Sequence, residues 1–283
     1  MCLVALALEH SRRFPLVIAA NRDEYFRRAT APLDWWTPDG GGPPILAGRD
    51  LEAGGTWMGL TAQGRLALVT NVRDPARHDP AAPSRGRIVQ EWLAGGEPVE
   101  AFWTRTARGG HNGFNLIAFD LRRGERFFAS NHGHAPRALG PGIHGLSNAT
   151  LDTPWPKVTA LATRLREAVD ACASVDALAA RLFQALADPQ EAPDEALPRT
   201  GIPLERERQL SAAFIRTPDG LYGTRSSMLV IAEDTGGRRR THVIERTHDA
   251  PAGAPAPRHA VLEDWPPAPA GHDAVQGART IST

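Results

Sequence analysis

The opening of the chain constrains the fold most. Residues 2–8 and 14–20 are two continuous apolar runs, and only Glu9-His10-Ser11-Arg12-Arg13 lies between them. A polar connection that short between apolar runs reads as a β-hairpin. With the turn centred near residue 12, cross-strand partners sum to about 24, because loop length sets register. Cys2 is then placed opposite the polar tetrapeptide Asn21-Arg22-Asp23-Glu24. Burying four such residues at a strand end is costly unless they have partners. Alternation along a strand puts Asn21 and Asp23 on one face, Arg22 and Glu24 on the other.

The residue delivered to that spot is chemically special. Methionyl aminopeptidases remove Met1 when residue 2 is small, which would leave a thiol and a free α-amine on Cys2. The two groups titrate near ~8.5 and ~8, so one residue would hold a nucleophile and the base that activates it. Asp23, at the end of the opposing strand, is placed to hold or orient that amine. The competing reading is a small buried hydrophobe above a strand-end ion pair. The convergence of both elements on one point favours chemistry.

Further motifs join these. Met1-Cys2 with Asn21-Arg22-Asp23-Glu24, Gly54-Gly55-Thr56-Trp57, Thr70-Asn71-Val72-Arg73, Leu146-Ser147-Asn148 and Tyr222-Gly223-Thr224-Arg225-Ser226-Ser227 run from residue 1 to residue 227. In combination they resemble the NRDE family, also called the transport and Golgi organisation family. That family in turn resembles the N-terminal-nucleophile hydrolases, notably the cysteine branch with penicillin V acylase and bile salt hydrolase. The resemblance implies an α+β fold, a four-layer αββα sandwich of antiparallel sheets, and hydrolysis of a linear amide bond without metal or cofactor. It implies Cys2 as nucleophile, Asp23 orienting the amine, and Asn71 and Asn148 as oxyanion donors. Arg225 resembles the late arginine that lies near the nucleophile and lowers its thiol pKa, and Asn21, Arg22 and Trp57 are substrate-binding candidates. One departure stands out: the acylases carry an arginine just before their Asn-x-Asp segment, where this chain has Ala20. Its arginine is Arg22, which strand alternation directs away from the face of Asp23. The reading from another class is a non-catalytic binding or trafficking protein that uses the same cleft for a hydrophobic ligand such as a lipid or haem.

The remaining chain supplies hairpins and helices. Residues 57–60 and 65–72 flank a turn at Thr61-Ala62-Gln63-Gly64, with the return strand ending at Asn71; residues 114–119 and 126–129 form a third hairpin. Ser84 opens a helix with the apolar stripe Ile88, Val89, Trp92 and Leu93, stopped by Gly95-Gly96. Val158, Leu161, Leu165 and Val169 recur at helical spacing, and a second helix covers residues 175–186. Residues 212–216, 222–232 and 240–247 read as a meander. Many hairpins with clustered helices indicate an antiparallel sandwich. Residues 1–247 are read as one domain and 248–283, rich in Pro, Ala and Gly, as an extended or disordered tail.

Composition narrows the function classes. With 32 basic and 32 acidic residues and net charge +0, there is no electrostatic case for nucleic acid or a membrane surface. No run approaches the ~20 apolar residues of a membrane span, and the start lacks a basic n-region, so a cytoplasmic protein with a small-molecule or lipid-like ligand is expected. Two cysteines make no disulfide framework, and Cys172 reads as a packing residue. His132-Gly133-His134 has no third ligand at metal-binding spacing. The Trp35-Trp36 pair reads as a pocket wall or as cover for a core edge. Oligomeric state is left open.

Overall fold

The computed structural model describes residues 2–248 and 256–267. In chain order the strands are β1 (Cys2–Leu8), β2 (Leu16–Tyr25), β3 (Thr30–Trp36), β4 (Ile45–Asp50), β5 (Met58–Thr61), β6 (Arg65–Asn71), β7 (Phe114–Asp120), β8 (Glu125–Ser130), β9 (His134–Ala138), β10 (Gly142–Leu146), β11 (Tyr222–Asp234), β12 (Arg239–Thr247) and β13 (Arg258–Glu263). The helices are α1 (Gly86–Ala94), α2 (Val99–Thr106), α3 (Pro156–Ala171), α4 (Val175–Leu186) and α5 (Leu204–Gln209). Among the described residues they build two sheets, ordered β10-β1-β2-β11-β12-β13 and β3-β4-β5-β6-β7-β8-β9. Every pairing within them is antiparallel.

The continuous apolar run of β1 follows from its position, since both of its faces are covered. Cys2, Val4, Leu6 and Leu8 join the core between the sheets, together with Leu46, Leu66, Leu68, Ile117 and Phe119 of the second sheet. Leu3, Ala5 and Ala7 point the other way, into a second core with Val158, Leu161, Leu165, Leu178 and Leu182 of α3 and α4. Small side chains there let helices approach closely: a Cβ on Gly145 of β10 would lie 2.5 Å from Val158 Cγ1. A third core joins Ala67, Phe114, Leu116 and Phe127 to Ile88, Val89, Trp92 and Phe102 of α1 and α2. Three cores between four layers make the expected αββα sandwich.

The expected first-hairpin register is observed, with Cys2 opposite Arg22 and Leu3 opposite Asn21. The second and third hairpins, α1, α3 and α4 also fall where hydrophobic spacing places them. Two expectations need correction. Residues 212–216 make no strand, only an isolated bridge between Arg216 and Gly223, because Asn21, Thr224 and Asp188 draw their backbone groups into other hydrogen bonds. The segment from 248 onward is not all extended tail. Arg258–Glu263 adds an edge strand to β12, and Trp265 is buried between the sheets, donating Nε1 to the Thr61 carbonyl at 2.8 Å. The rest of the expected tail, 249–255 and 268–283, lies outside the described residues.

Candidate active site

Cys2 sits at the first position of β1, where the two sheets part to leave a cavity of about 270 Å³. Cys2, Arg22, Asp23, Trp57 and Asn71 all line it. Its opposite wall is formed by Arg28 from the β2–β3 turn, Arg49 and Asp50 from β4, and residues 82–86 leading into α1. The glycines of Gly54-Gly55-Thr56-Trp57 explain how that wall is held. Gly54 has φ +77°, a conformation that favours glycine. A Cβ on Gly55 would lie 2.5 Å from the Gly86 carbonyl carbon, so only glycine lets the α1 entry pack this closely.

The β1–β2 register puts the Arg22 side chain on the face of Cys2. Cys2 is only 6% exposed, and this burial pushes its thiol up from its ordinary value; Asp23 adds to that rise and Arg22 opposes it. Arg225 is not among the main groups that shift this thiol. Arg225 is the extra residue of a bulge in β11, between Thr224 opposite Asp23 and Ser226 opposite Arg22. It donates Nη1 to the carbonyls of Tyr25 and Arg28 at 2.7 and 2.9 Å and sits over the Phe26 ring. It thus shapes the turn that carries Arg28 and is absent from the lining of the Cys2 cavity.

Asp23 is buried, and its Oδ1 accepts the Thr224 hydroxyl at 2.7 Å. Burial raises its pKa, opposed chiefly by Lys157 in the first turn of α3. Lys157 is itself buried and donates Nζ to the Leu210 carbonyl at 2.9 Å. Burial lowers its pKa to about 8, with Asp23 pulling the other way. Each group feels the other's charge, but burial outweighs that attraction at both.

The two asparagines have different positions. Asn71 closes β6 and lines the cavity. Asn148 is buried behind it, outside the lining, and donates Nδ2 to the Asn71 carbonyl at 2.9 Å. The Ser147 hydroxyl lies 2.9 Å from the Cys2 carbonyl and 3.1 Å from Asn148 Oδ1. Leu146-Ser147-Asn148 is thereby a brace joining the Cys2 backbone to Asn71. Asn21 also departs from expectation, since its amide donates to Leu186 and Ala213 carbonyls at 2.9 and 2.8 Å and accepts from Ser227. It is fully buried toward the helix layer and does not reach the cavity. Trp36 donates to the Ala47 carbonyl under Arg49, and neither Trp35 nor Trp36 lines the cavity.

Arg28, Arg49, Asp50 and Arg85 were not singled out by sequence. Arg85 carried a signal nonetheless: it is the N-cap of α1, where the helix dipole disfavours a cation. Among the described residues no group of three or more His, Cys, Asp or Glu side chains could hold a metal. His132 pairs instead with Asp74 at 3.0 Å.

An αββα sandwich with a cysteine at the mouth of its first strand defines the structural class. The family model "Transport and Golgi organisation 2" matches residues 1–250, and the chain belongs to that family. A bovine Transport and Golgi organization protein 2 homolog is 34% identical over 254 residues, covering 83% of this chain and 90% of the relative. The human homolog is 32% identical over 254 residues with the same shares, and the Drosophila melanogaster protein 25% over 270 residues, covering 87% and 92%. Among solved structures, a Caenorhabditis elegans N-acylethanolamine-hydrolyzing acid amidase ortholog aligns with TM-score 0.47 at 8% identity, over 82% of this chain and 92% of that one. A C2A mutant of conjugated bile acid hydrolase from Clostridium perfringens aligns with TM-score 0.47 at 8% identity, over 93% and 92%.

Proposed function

We propose that the protein is a cysteine amidohydrolase of the N-terminal-nucleophile type, acting on a small linear amide. The observation that carries this reading is the gathering of Cys2, Arg22, Asp23 and Asn71 around one cavity. With Met1 removed, the α-amine of Cys2 takes the thiol proton as sulfur adds to the amide carbonyl. Asn71 donates to the developing oxyanion. The amine then returns the proton to the leaving nitrogen, and a thioester remains on Cys2. Water, deprotonated by the same amine, releases the acid and restores the thiol. Asp23, held by Thr224 and supported by Lys157, keeps the amine oriented. Asn148 serves this chemistry as a positioning residue, through the Asn71 carbonyl. No helix among the described residues is long and apolar enough to cross a membrane, and on composition we assign the enzyme to the cytoplasm.

The non-catalytic reading with a lipid or haem in the cleft has less support. Ligand pockets usually span about 300–1,000 Å³ with mostly apolar walls, whereas this cavity is smaller and lined by four arginines and three carboxylates. The test has two parts. Intact-mass analysis of active protein should show Met1 absent; a retained Met1 excludes the amine as base. Exposure to a library of small amides and activated esters should leave an acyl mass on Cys2 and none on Cys172. An unlabelled Cys2 across the library leaves the fold without the activity.

A further inference from the structure

The cavity beside Cys2 holds more cationic groups than its own carboxylates neutralise. Arg22, Arg28, Arg49 and Arg85 line it against Asp23, Glu24 and Asp50. Two of the arginines are already engaged. Arg28 holds Asp50 through Nε at 2.9 Å and Nη2 at 2.8 Å, while Arg49 pairs with Asp39 at 2.8 Å and stacks on Trp36. Asp23 is taken up by Thr224 and the field of Lys157, and Glu24 accepts the Tyr25 amide at 2.9 Å.

Arg22 and Arg85 remain. Arg22 is only 6% exposed, and its Nη1 is buried without a hydrogen-bond partner among the described residues. A buried guanidinium left this way is expensive, since the desolvation of a charge is offset only by paired, well-directed acceptors. Arg85 is half-buried and donates Nη1 to the Gly113 carbonyl at 3.2 Å, with no carboxylate within ion-pair distance among the described residues. It lies at the N-terminus of α1, whose dipole adds positive potential at the same wall. Arg22 comes from beside the thiol and Arg85 from across the cavity, so a ligand between them would be gripped from both sides.

We propose that Arg22 and Arg85 form a carboxylate subsite, and that the small amide cleaved at Cys2 carries a carboxylate. This deepens the hydrolase reading and rests on it for the word cleaved; the subsite itself does not. With Arg28 on Asp50, Arg49 on Asp39 and Asp23 set against Lys157, Arg22 and Arg85 face Glu24 alone and leave one positive charge, which a monoanion neutralises, and the planar guanidinium fork matches a carboxylate. The polar, charged lining and small volume fit a short acid rather than a long acyl chain.

Alkylation separates this subsite from thiol activation. Iodoacetate and iodoacetamide react with the same thiolate, so any change in thiol pKa alters both rates equally and leaves their ratio fixed. The ratio of iodoacetate to iodoacetamide rates should be about tenfold higher at Cys2 than at Cys172, the preference expected of a charge-assisted pair. It should fall to the Cys172 value in Arg85→Gln, and in Arg22→Gln where that variant folds. Glutarate should protect Cys2 and glutaramide should not. Equal ratios at the two cysteines overturn the proposal. So does an Arg22→Gln change that slows both reagents alike, because the arginine would then serve only the thiolate. Better protection by inorganic phosphate than by glutarate overturns the carboxylate and assigns a phosphate. Since alkylation needs no turnover, a failed acyl trap with a preserved iodoacetate preference removes the hydrolase and leaves the subsite.

Discussion

The two walls of the cavity are built by different means. The Cys2 wall is one local hairpin, in which five polar residues between two apolar runs fix the register of Cys2 against Arg22. The opposite wall gathers Arg28 and Asp50 from either side of the β3–β4 hairpin and Arg85 from the approach to α1. The first wall would form wherever that hairpin forms. The second exists only when the sheets are stacked and α1 is packed on Gly55, which makes it the more fragile under mutation.

The largest expected effect contrasts two asparagines that sequence treated alike. Asn71→Ala should leave the fold intact and slow acyl transfer to Cys2 by about 10² to 10³, the cost of one lost oxyanion donor. Asn148→Ala strips a partner from the part-buried Asn71 carbonyl and removes a buried amide from the brace, so it should destabilise by about 1–3 kcal/mol. Its effect on rate should be smaller and follow from displacement of Asn71. Urea titrations alongside single-turnover acylation would show this split. If both variants lose rate equally at unchanged stability, Asn148 reaches the oxyanion itself and the brace is misassigned.

The asymmetry between the walls also explains what could be read from sequence. Register, hairpins and the stripes of α1, α3 and α4 depend on near neighbours, and apolar spacing reports them. Which polar residue faces the cavity depends on contacts across the sandwich. Asn21 has the right strand parity to accompany Asp23, yet distant carbonyls at Leu186 and Ala213 claim its amide. Arg225 lies next to the Asp23 partner Thr224 in sequence, but a bulge turns it onto the Tyr25 and Arg28 carbonyls. No periodicity announces either event. Edge strand β13 was hidden for another reason: a Pro-rich composition masked a six-residue strand whose burial alternates over its last five positions.

A glycine tests the fragile wall directly. Gly55→Ala forces a methyl group to within 2.5 Å of the Gly86 backbone, and overpacking of that kind costs about 1–3 kcal/mol. The α1 entry should shift and carry Arg85 with it. The iodoacetate preference at Cys2 should weaken while the iodoacetamide rate holds, because the hairpin wall is untouched. An unchanged melting temperature together with an unchanged preference would mean that the second wall is as autonomous as the first.

The smallest expected effect concerns the charge beneath the hairpin wall. Lys157 titrates near 8 in the folded chain against 10.5 for an ordinary lysine, so between those values the unfolded chain binds more protons. Stability therefore rises as pH climbs through that window, and the full cost of burying the ammonium is felt below pH 8. Lys157→Met removes the titration and should flatten the rise, seen as a melting temperature less dependent on pH from 8 to 10.5. The same variant leaves Asp23 without the cation that opposes its burial, so its carboxyl should protonate at a higher pH than in the parent chain. The lower limb of any activity profile should then move upward in pH, while the iodoacetate preference, set by Arg22 and Arg85, stays where it was. A variant that melts with the parent's pH dependence would show that Lys157 holds its proton throughout, and that Asp23 owes its charge to another group.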